Sequence, residues 1–273
     1  MREENRGAPA PLGITASDNR APATFVRIGA MVGTAWLILG GTAMAQHYEG
    51  RSHYAAPLAT AGVVVDGLGD DAVWADAEWR DIDQRWLGPE YTQEDFSGRF
   101  KIAWDETQIY LLVEITDDIL IDTHRDPLVQ YWDDDCLEIF VDEDHSGGEH
   151  QYNHNAFAYH MSLDNQAIDI GTDERARAYN DHATSHWRQT ADGLVWEVAI
   201  RLFSDDFVAD TPGQASEPLS AGKIIGLMVA YCDNDGSELR ENFVGSETVP
   251  FGPTDRGWID ANLFGAVELV GDQ

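Results

Sequence analysis

The sequence predicts an all-β fold, a single-domain antiparallel β-sandwich of jelly-roll type. Three observations point there. About nine or ten runs read as strands, some with apolar residues at alternate positions. Turn residues interrupt these runs every 8–15 residues. Helical periodicity is almost absent, and short strands at such spacing form sandwiches or barrels.

The elements follow in order. Residues 62–67, "GVVVDG", are a β-branched run closed by Gly67. In "DDAVWADAEW", Val73, Trp74 and Ala77 fall at helical spacing and predict one helical turn. Residues 98–105 alternate, with Phe100, Ile102 and Trp104 on one face. The turn Asp105-Glu106-Thr107 joins them to a second strand, 108–117. "CLEIFVD" sets Leu137, Ile139 and Val141 against Cys136, Glu138 and Phe140. Residues 152–163, "YNHNAFAYHMSL", predict a long strand. Residues 186–202 predict a hairpin around Ala191-Asp192-Gly193, because Asp-Gly adopts the backbone of a tight turn readily. A loop rich in Pro, Gly and Ser covers 210–222. The near-continuous apolar run "KIIGLMVAYCDND" (223–235) and "FGAVELV" (264–270) complete the set.

Residues 1–45 stand apart. Arg2, Arg6, Arg20 and Arg27 precede an uncharged apolar run, 28–45, that ends in Ala43-Met44-Ala45. This is the pattern of a cleaved secretory signal peptide. An uncleaved anchor is the alternative, since eighteen apolar residues nearly span a bilayer. The expected product is secreted or periplasmic and not inserted in the membrane. Residues 46–60 are expected as a linker and 61–273 as the folded domain.

The first 45 residues hold four of the 17 basic and three of the 49 acidic residues, so the remaining 228 carry a net charge of −33. Such a surface repels phosphates and excludes nucleic acid and anionic membranes as partners. It suits a neutral or cationic ligand, or bound cations. Cys136 and Cys232 are two buried thiols or one bridge.

Several constellations could carry chemistry. Asp142 and Asp144 with Ser146, and Asp233 and Asp235 with Ser237, repeat a D-x-D-x-S spacing that supplies hard oxygens to calcium. Neither is an EF-hand, and a plain acidic turn is the alternative. Asp135 and Glu138 could be cast as a hydrolytic pair, but acids are abundant enough to pair anywhere, and no nucleophile or metalloprotease motif occurs. A non-catalytic protein is expected. His150, His154 and His160 share a strand parity, yet strand residues four apart lie roughly 13 Å apart, too far to share an ion. Trp132 lies between Tyr131 and Asp133-Asp134-Asp135, and Trp258 lies in "TDRGWIDANLFG". A flat ring beside polar acceptors complements a sugar, which has an apolar face and a rim of hydroxyls. The alternative is that both rings plug the ends of the sandwich.

"VVVDGLGDDAVWADAEW", "GRFKIAWDETQIYLLVEITDD", "YWDDDCLEIFVDED", "GLVWEVAIRL", "IIGLMVAYCDND" and "GWIDANLFGAVEL" occur in this order. Together, from about Val63 to Val270, they resemble the family 9 carbohydrate-binding modules, found on secreted xylanases and as stand-alone sugar-binding proteins. The resemblance implies an oligo- or polysaccharide ligand held between Trp132 and Trp258, with Glu138 bonding hydroxyls and structural calcium nearby. It carries over more loosely to Asp255 and Arg256, and Asp135 joins the expected ligand set. An arginine that contacts sugar in the family falls near Ala158 here, so His160 or Asn155 is expected in its place. A partner glycoside hydrolase or transporter would use the bound sugar. Two other readings remain. One is a periplasmic electron-transfer sandwich holding haem b through Met161, Met228, His154 or His160. The other is a calcium-dependent adhesion protein.

Overall fold

The computed structural model describes residues 47–191 and 193–271. The expected signal peptide, 1–45, and Asp192 of the hairpin turn lie outside the described residues. Among the described residues the strands are β1 (His53–Pro57), β2 (Arg80–Ile82), β3 (Gln84–Leu87), β4 (Phe96–Trp104), β5 (Ile109–Asp117), β6 (Cys136–Asp142), β7 (Phe157–Ser162), β8 (Ala167–Ile170), β9 (Ala176–Ala178), β10 (Ala183–Gln189), β11 (Leu194–Ile200), β12 (Ile224–Asp233), β13 (Asn242–Gly245) and β14 (Gly265–Val270). One sheet runs β1-β14-β12-β6-β7-β8-β9, with β13 beside β12 and β3 beside β13; the other runs β10-β11-β5-β4-β2. Strand pairing is antiparallel apart from the parallel β1–β14 pair.

The all-β sandwich expected from the alternation is the fold. Phe100, Ile102 and Trp104 of β4 meet Leu137, Ile139 and Val141 of β6 in the core between the sheets. The opposite face of β6 is also covered. Cys136 and Phe140 join Met228, Phe243 and Phe264 in a second, smaller core on the outside of the larger sheet. Both faces of β6 are therefore buried, although its sequence alternates as a half-exposed strand would.

Three expectations change. Residues 46–60, expected as a linker, contain β1, whose parallel register sets Tyr54 beside Val267 and Ala56 beside Leu269. Tyr54 and Ala56 supply too little apolar signal to reveal it. The 152–163 strand begins only at Phe157, because 150–156 is a turn in which Asn155 bonds Asn153. Residues 62–67 form no strand. The Asp66 and Gly67 N–H groups donate instead to the buried Glu197 carboxylate on β11, at 3.1 and 2.8 Å, and Gly67 takes a positive φ of 76°.

Trp74, in the expected helical turn (Ala72–Ala75), donates from Nε1 to the same Glu197 at 3.1 Å. One carboxylate thus satisfies three donors and seats the 62–79 segment against the smaller sheet. Glu197→Ala would leave all three unpaired. It is expected to cost on the order of 3 kcal/mol, read as a lower urea midpoint with an unchanged slope. An unchanged midpoint would refute this role.

Candidate functional site

A cleft of about 350 Å³ opens on the outer face of the larger sheet. The register of the strands builds its floor. Ala230 on β12, Glu138 on β6, His160 on β7 and Ile168 on β8 form one rung of neighbours. The rung beside it carries Met228, Phe140 and Ala158. Ala158 is too short to fill the space above the sheet, and Glu138 and His160 line that space with it. Loops and β13 supply the walls: Tyr131 and Trp132 before β6, Tyr152 before β7, Arg240 before β13 and Phe243 on it, and Asp255 and Trp258 before β14.

The polar groups of the floor hold one another. Glu138 is buried, and its Oε2 lies 3.2 Å from His160 Nε2. Burial opposes a charge on His160, but the Glu138 carboxylate outweighs it and raises the imidazole pKa. Asp169 also faces the cleft. Burial lifts its carboxyl to about 7, against the Ala158 and Ile170 N–H groups that donate to it. Burial likewise pushes the Tyr131 hydroxyl well above its ordinary value, which keeps it a neutral donor. The Arg240 guanidinium lies 4.0 Å over the Phe243 ring and donates to Cys232 Sγ at 3.2 Å. The cleft therefore combines aromatic surfaces with both acceptors and donors.

The three adjacent aspartates ahead of β6 are buried and face backbone donors, not the cleft. Asp133 accepts from the Arg240 N–H. Asp134 accepts from the Thr123 and His124 N–H groups and the Thr123 hydroxyl. Burial opposes ionisation there, yet those bonds hold its carboxyl below the ordinary range. Asp135 accepts from the Ile121 N–H at 2.5 Å and the Asn234 N–H at 2.8 Å. The run ties the loop bearing Tyr131 and Trp132 to the end of β12.

Asp135 also belongs to a carboxylate cluster. One oxygen from each of Asp135, Asp117 and Asp233 lies within 4.8 Å of the other two. Burial, and then mutual repulsion, lifts Asp135 to about 9 and Asp233 to about 8; burial lifts Asp117 to about 6. Asp95, Asp118 and Asp235 form a second, more exposed cluster. Among the described residues no Lys or Arg is ion-paired with any of these six. Crowded hard oxygens without a counter-ion fit calcium.

The expected residues thus separate. Trp132, Glu138, Trp258 and Asp255 converge on one cleft. Asp135 lies behind it. Arg256 turns away: it ion-pairs with Asp260 at 3.4 Å, donates to the Phe251 carbonyl and lies against Tyr48 and Phe251. Asp233 and Asp235 fall into the two different clusters. Asp142 and Asp144 gather no third carboxylate, imidazole or thiol among the described residues, and Asp142 accepts from the Gly147 N–H, at 2.7 Å, and from the Asp144 N–H. Of the two substitutes for the missing arginine, His160 lines the cleft, whereas Asn155 donates to the Gly147 carbonyl. His150 and His154 bond the Gly257 and Phe207 carbonyls. Met161 lies in the sandwich core, on the opposite face of β7 from His160, so those two cannot hold one haem. Arg240, Asp169 and Tyr152 were not anticipated; each reaches the cleft by tertiary approach, which no local pattern reveals.

Comparison with known proteins adds the following. The family described as "Carbohydrate family 9 binding domain-like" matches residues 65–272. Endo-1,4-beta-xylanase A of Thermotoga neapolitana is 21% identical over 210 residues, a match that covers 76% of this chain and 17% of the xylanase. The chain therefore spans about a sixth of that relative. A carbohydrate binding module family 9 from Caldicellulosiruptor kristjanssonii, solved in complex with cellotriose, superposes with a TM-score of 0.58 at 20% identity, covering 81% of this chain and 95% of that one. The same organism's module in complex with glucose gives 0.57 at 21% identity, covering 80% and 97%. At these identities the likeness is one of fold.

Proposed function

Because the chain belongs to the carbohydrate family 9 binding domain-like family, we propose that it is a non-catalytic protein that binds oligo- or polysaccharide in the cleft between Trp132 and Trp258. The observation that carries this reading is the convergence of those two rings, from loops far apart in sequence, over a floor of Glu138 and His160. Each ring offers a flat apolar face to the C–H surface of a sugar. Glu138 and Asp169 provide acceptors, and Arg240 and Tyr131 donors, for the hydroxyl rim. An apolar cleft with a few converging polar groups is the usual form of a small-ligand site. The related modules solved with cellotriose and glucose favour a β-glucan oligosaccharide as the first ligand to try. A neutral sugar also suits a chain of net charge −32.

Calcium is the proposed structural ion. Asp117, Asp135 and Asp233 would hold it behind the loop that carries Trp132. Residues 1–45 would direct secretion or export to the periplasm, where a glycoside hydrolase or a transporter would share the sugar. Isothermal titration with glucose, cellobiose, cellotriose and xylobiose, with and without calcium, tests the reading. Saturable heat with at least one of them is expected. Silence across the panel from folded, calcium-loaded protein would remove the sugar assignment.

A further inference from the structure

Beneath the cleft two thiols that sugar recognition does not use meet the Glu138 and His160 side chains of its floor. Cys136 on β6 and Cys232 on β12 are direct register partners, and both are buried free thiols. His160 stands on the adjoining strand, β7. The two Sγ atoms and an imidazole nitrogen all lie within 4.8 Å of one another. Glu138 Oε2 lies 4.0 Å from Cys232 Sγ and 3.2 Å from His160 Nε2. His160 Nδ1 meets the Ala158 carbonyl at 3.1 Å, which leaves Nε2 turned toward the group.

We propose that Cys136, Cys232 and His160, with Glu138 at the fourth position, form a binding site for a thiophilic divalent cation of the zinc type. Two sulfurs, one nitrogen and one oxygen are a tetrahedral donor set. With bonds of about 2.3 Å to sulfur and 2.0 Å to nitrogen, ligand atoms in such a site lie roughly 3.5–3.8 Å apart, so shifts of about an ångström close it. The Nδ1–H to Ala158 bond is the outer contact that usually orients a metal-bound imidazole.

Charge balance supports the assignment. Binding releases one proton from each thiol and, from an imidazolium paired with Glu138, the Nε2 proton as well, so the divalent cation leaves the net charge of the pocket unchanged or one unit lower. The Glu138 carboxylate and the Arg240 guanidinium, 3.2 Å from Cys232 Sγ, offset each other before and after binding. A metal there bonds β6, β12 and β7 to one another. Glu138 and His160 both line the cleft, which gives the ion its route in.

The test is a cobalt(II) titration of the reduced full-length chain. The expected result is one equivalent bound, with intense visible bands of a tetrahedral ion, a thiolate charge-transfer band in the near ultraviolet, and displacement by zinc. Cys232→Ser and Cys136→Ser, checked for folding by thermal melt, should each weaken binding beyond the ~10–100-fold that loss of an outer contact costs. If either variant fails to fold, X-ray absorption of the zinc-loaded native chain decides instead, with two sulfur neighbours expected. Three results would overturn the proposal. One is weak octahedral cobalt spectra without the thiolate band, the signature of adventitious binding to surface acids. Another is a zinc shell without sulfur. The last is a Cys136–Cys232 disulfide that persists under reductant and takes up no metal.

Discussion

Trp132→Ala is expected to weaken sugar binding at least 30-fold while leaving the melting temperature almost unchanged. Trp132 is 40% exposed, belongs to none of the three apolar cores and touches Tyr131 edge-on, with ring centroids 4.8 Å apart. Removing such a side chain usually changes stability by no more than about 0.5 kcal/mol. Aromatic anchors in binding clefts commonly contribute about 2 kcal/mol or more, which is roughly a 30-fold change in Kd. Trp258 makes the informative contrast. It is half-buried and packs against the second core, so Trp258→Ala should lose affinity and stability together, whereas Trp258→Phe should recover most of the stability. Titration calorimetry and thermal melts on the three variants check this. Retained affinity in folded Trp132→Ala would show that the cleft is not the sugar site.

Calcium should stabilise the protein strongly at pH 8 and little at pH 5. Asp117, Asp135 and Asp233 are raised to about 6, 9 and 8 by burial and by repulsion from neighbouring carboxylates. An unfolded aspartate titrates near 3.9. Between about pH 4 and 9 these three carboxyls therefore hold more protons in the metal-free folded state than in the unfolded chain. The stability they contribute is greatest at the acid end of that range and is lost as pH rises. Calcium takes the place of those protons, so its effect grows with pH. At a thousand times its Kd, a ligand specific to the folded state contributes about 4 kcal/mol, or ~8–16 °C in Tm for a domain of this size. Asp233→Asn should make the chelated protein more stable at pH 8 and insensitive to calcium. Melts in EGTA or calcium across this range provide the check; an equal calcium shift at pH 5 and pH 8 would exclude the cluster as the site.

What could be read from the sequence followed the range of the signal. β4, β6 and the β10–β11 hairpin were legible because each carries its own alternation or turn residues. β8 and β9 were not: Ala176-Arg177-Ala178 owes its strand form to pairing with β8, not to its own side chains. The site divided in the same way. Trp132 and Glu138 sit six residues apart in a recognisable stretch. The Asp117, Asp135 and Asp233 cluster draws one ligand from each of three distant segments, so D-x-D spacing pointed to Asp233 but not to its partners, and equally to Asp142 and Asp144, where Asp142 accepts from the Gly147 N–H of its own loop.

The two-faced burial of β6 bears on how such a protein can change over generations. Odd-numbered positions (Leu137, Ile139 and Val141) hold the sheets together, and even-numbered positions (Cys136, Glu138 and Phe140) meet the second core or the cleft. A single-residue insertion or deletion within the strand would exchange these sets and ruin both at once. Point substitutions at Glu138 on the even face, or at Ala158 beside it, can alter what the cleft accepts without disturbing the inter-sheet core. Selection can therefore revise the ligand one side chain at a time while the scaffold is inherited intact.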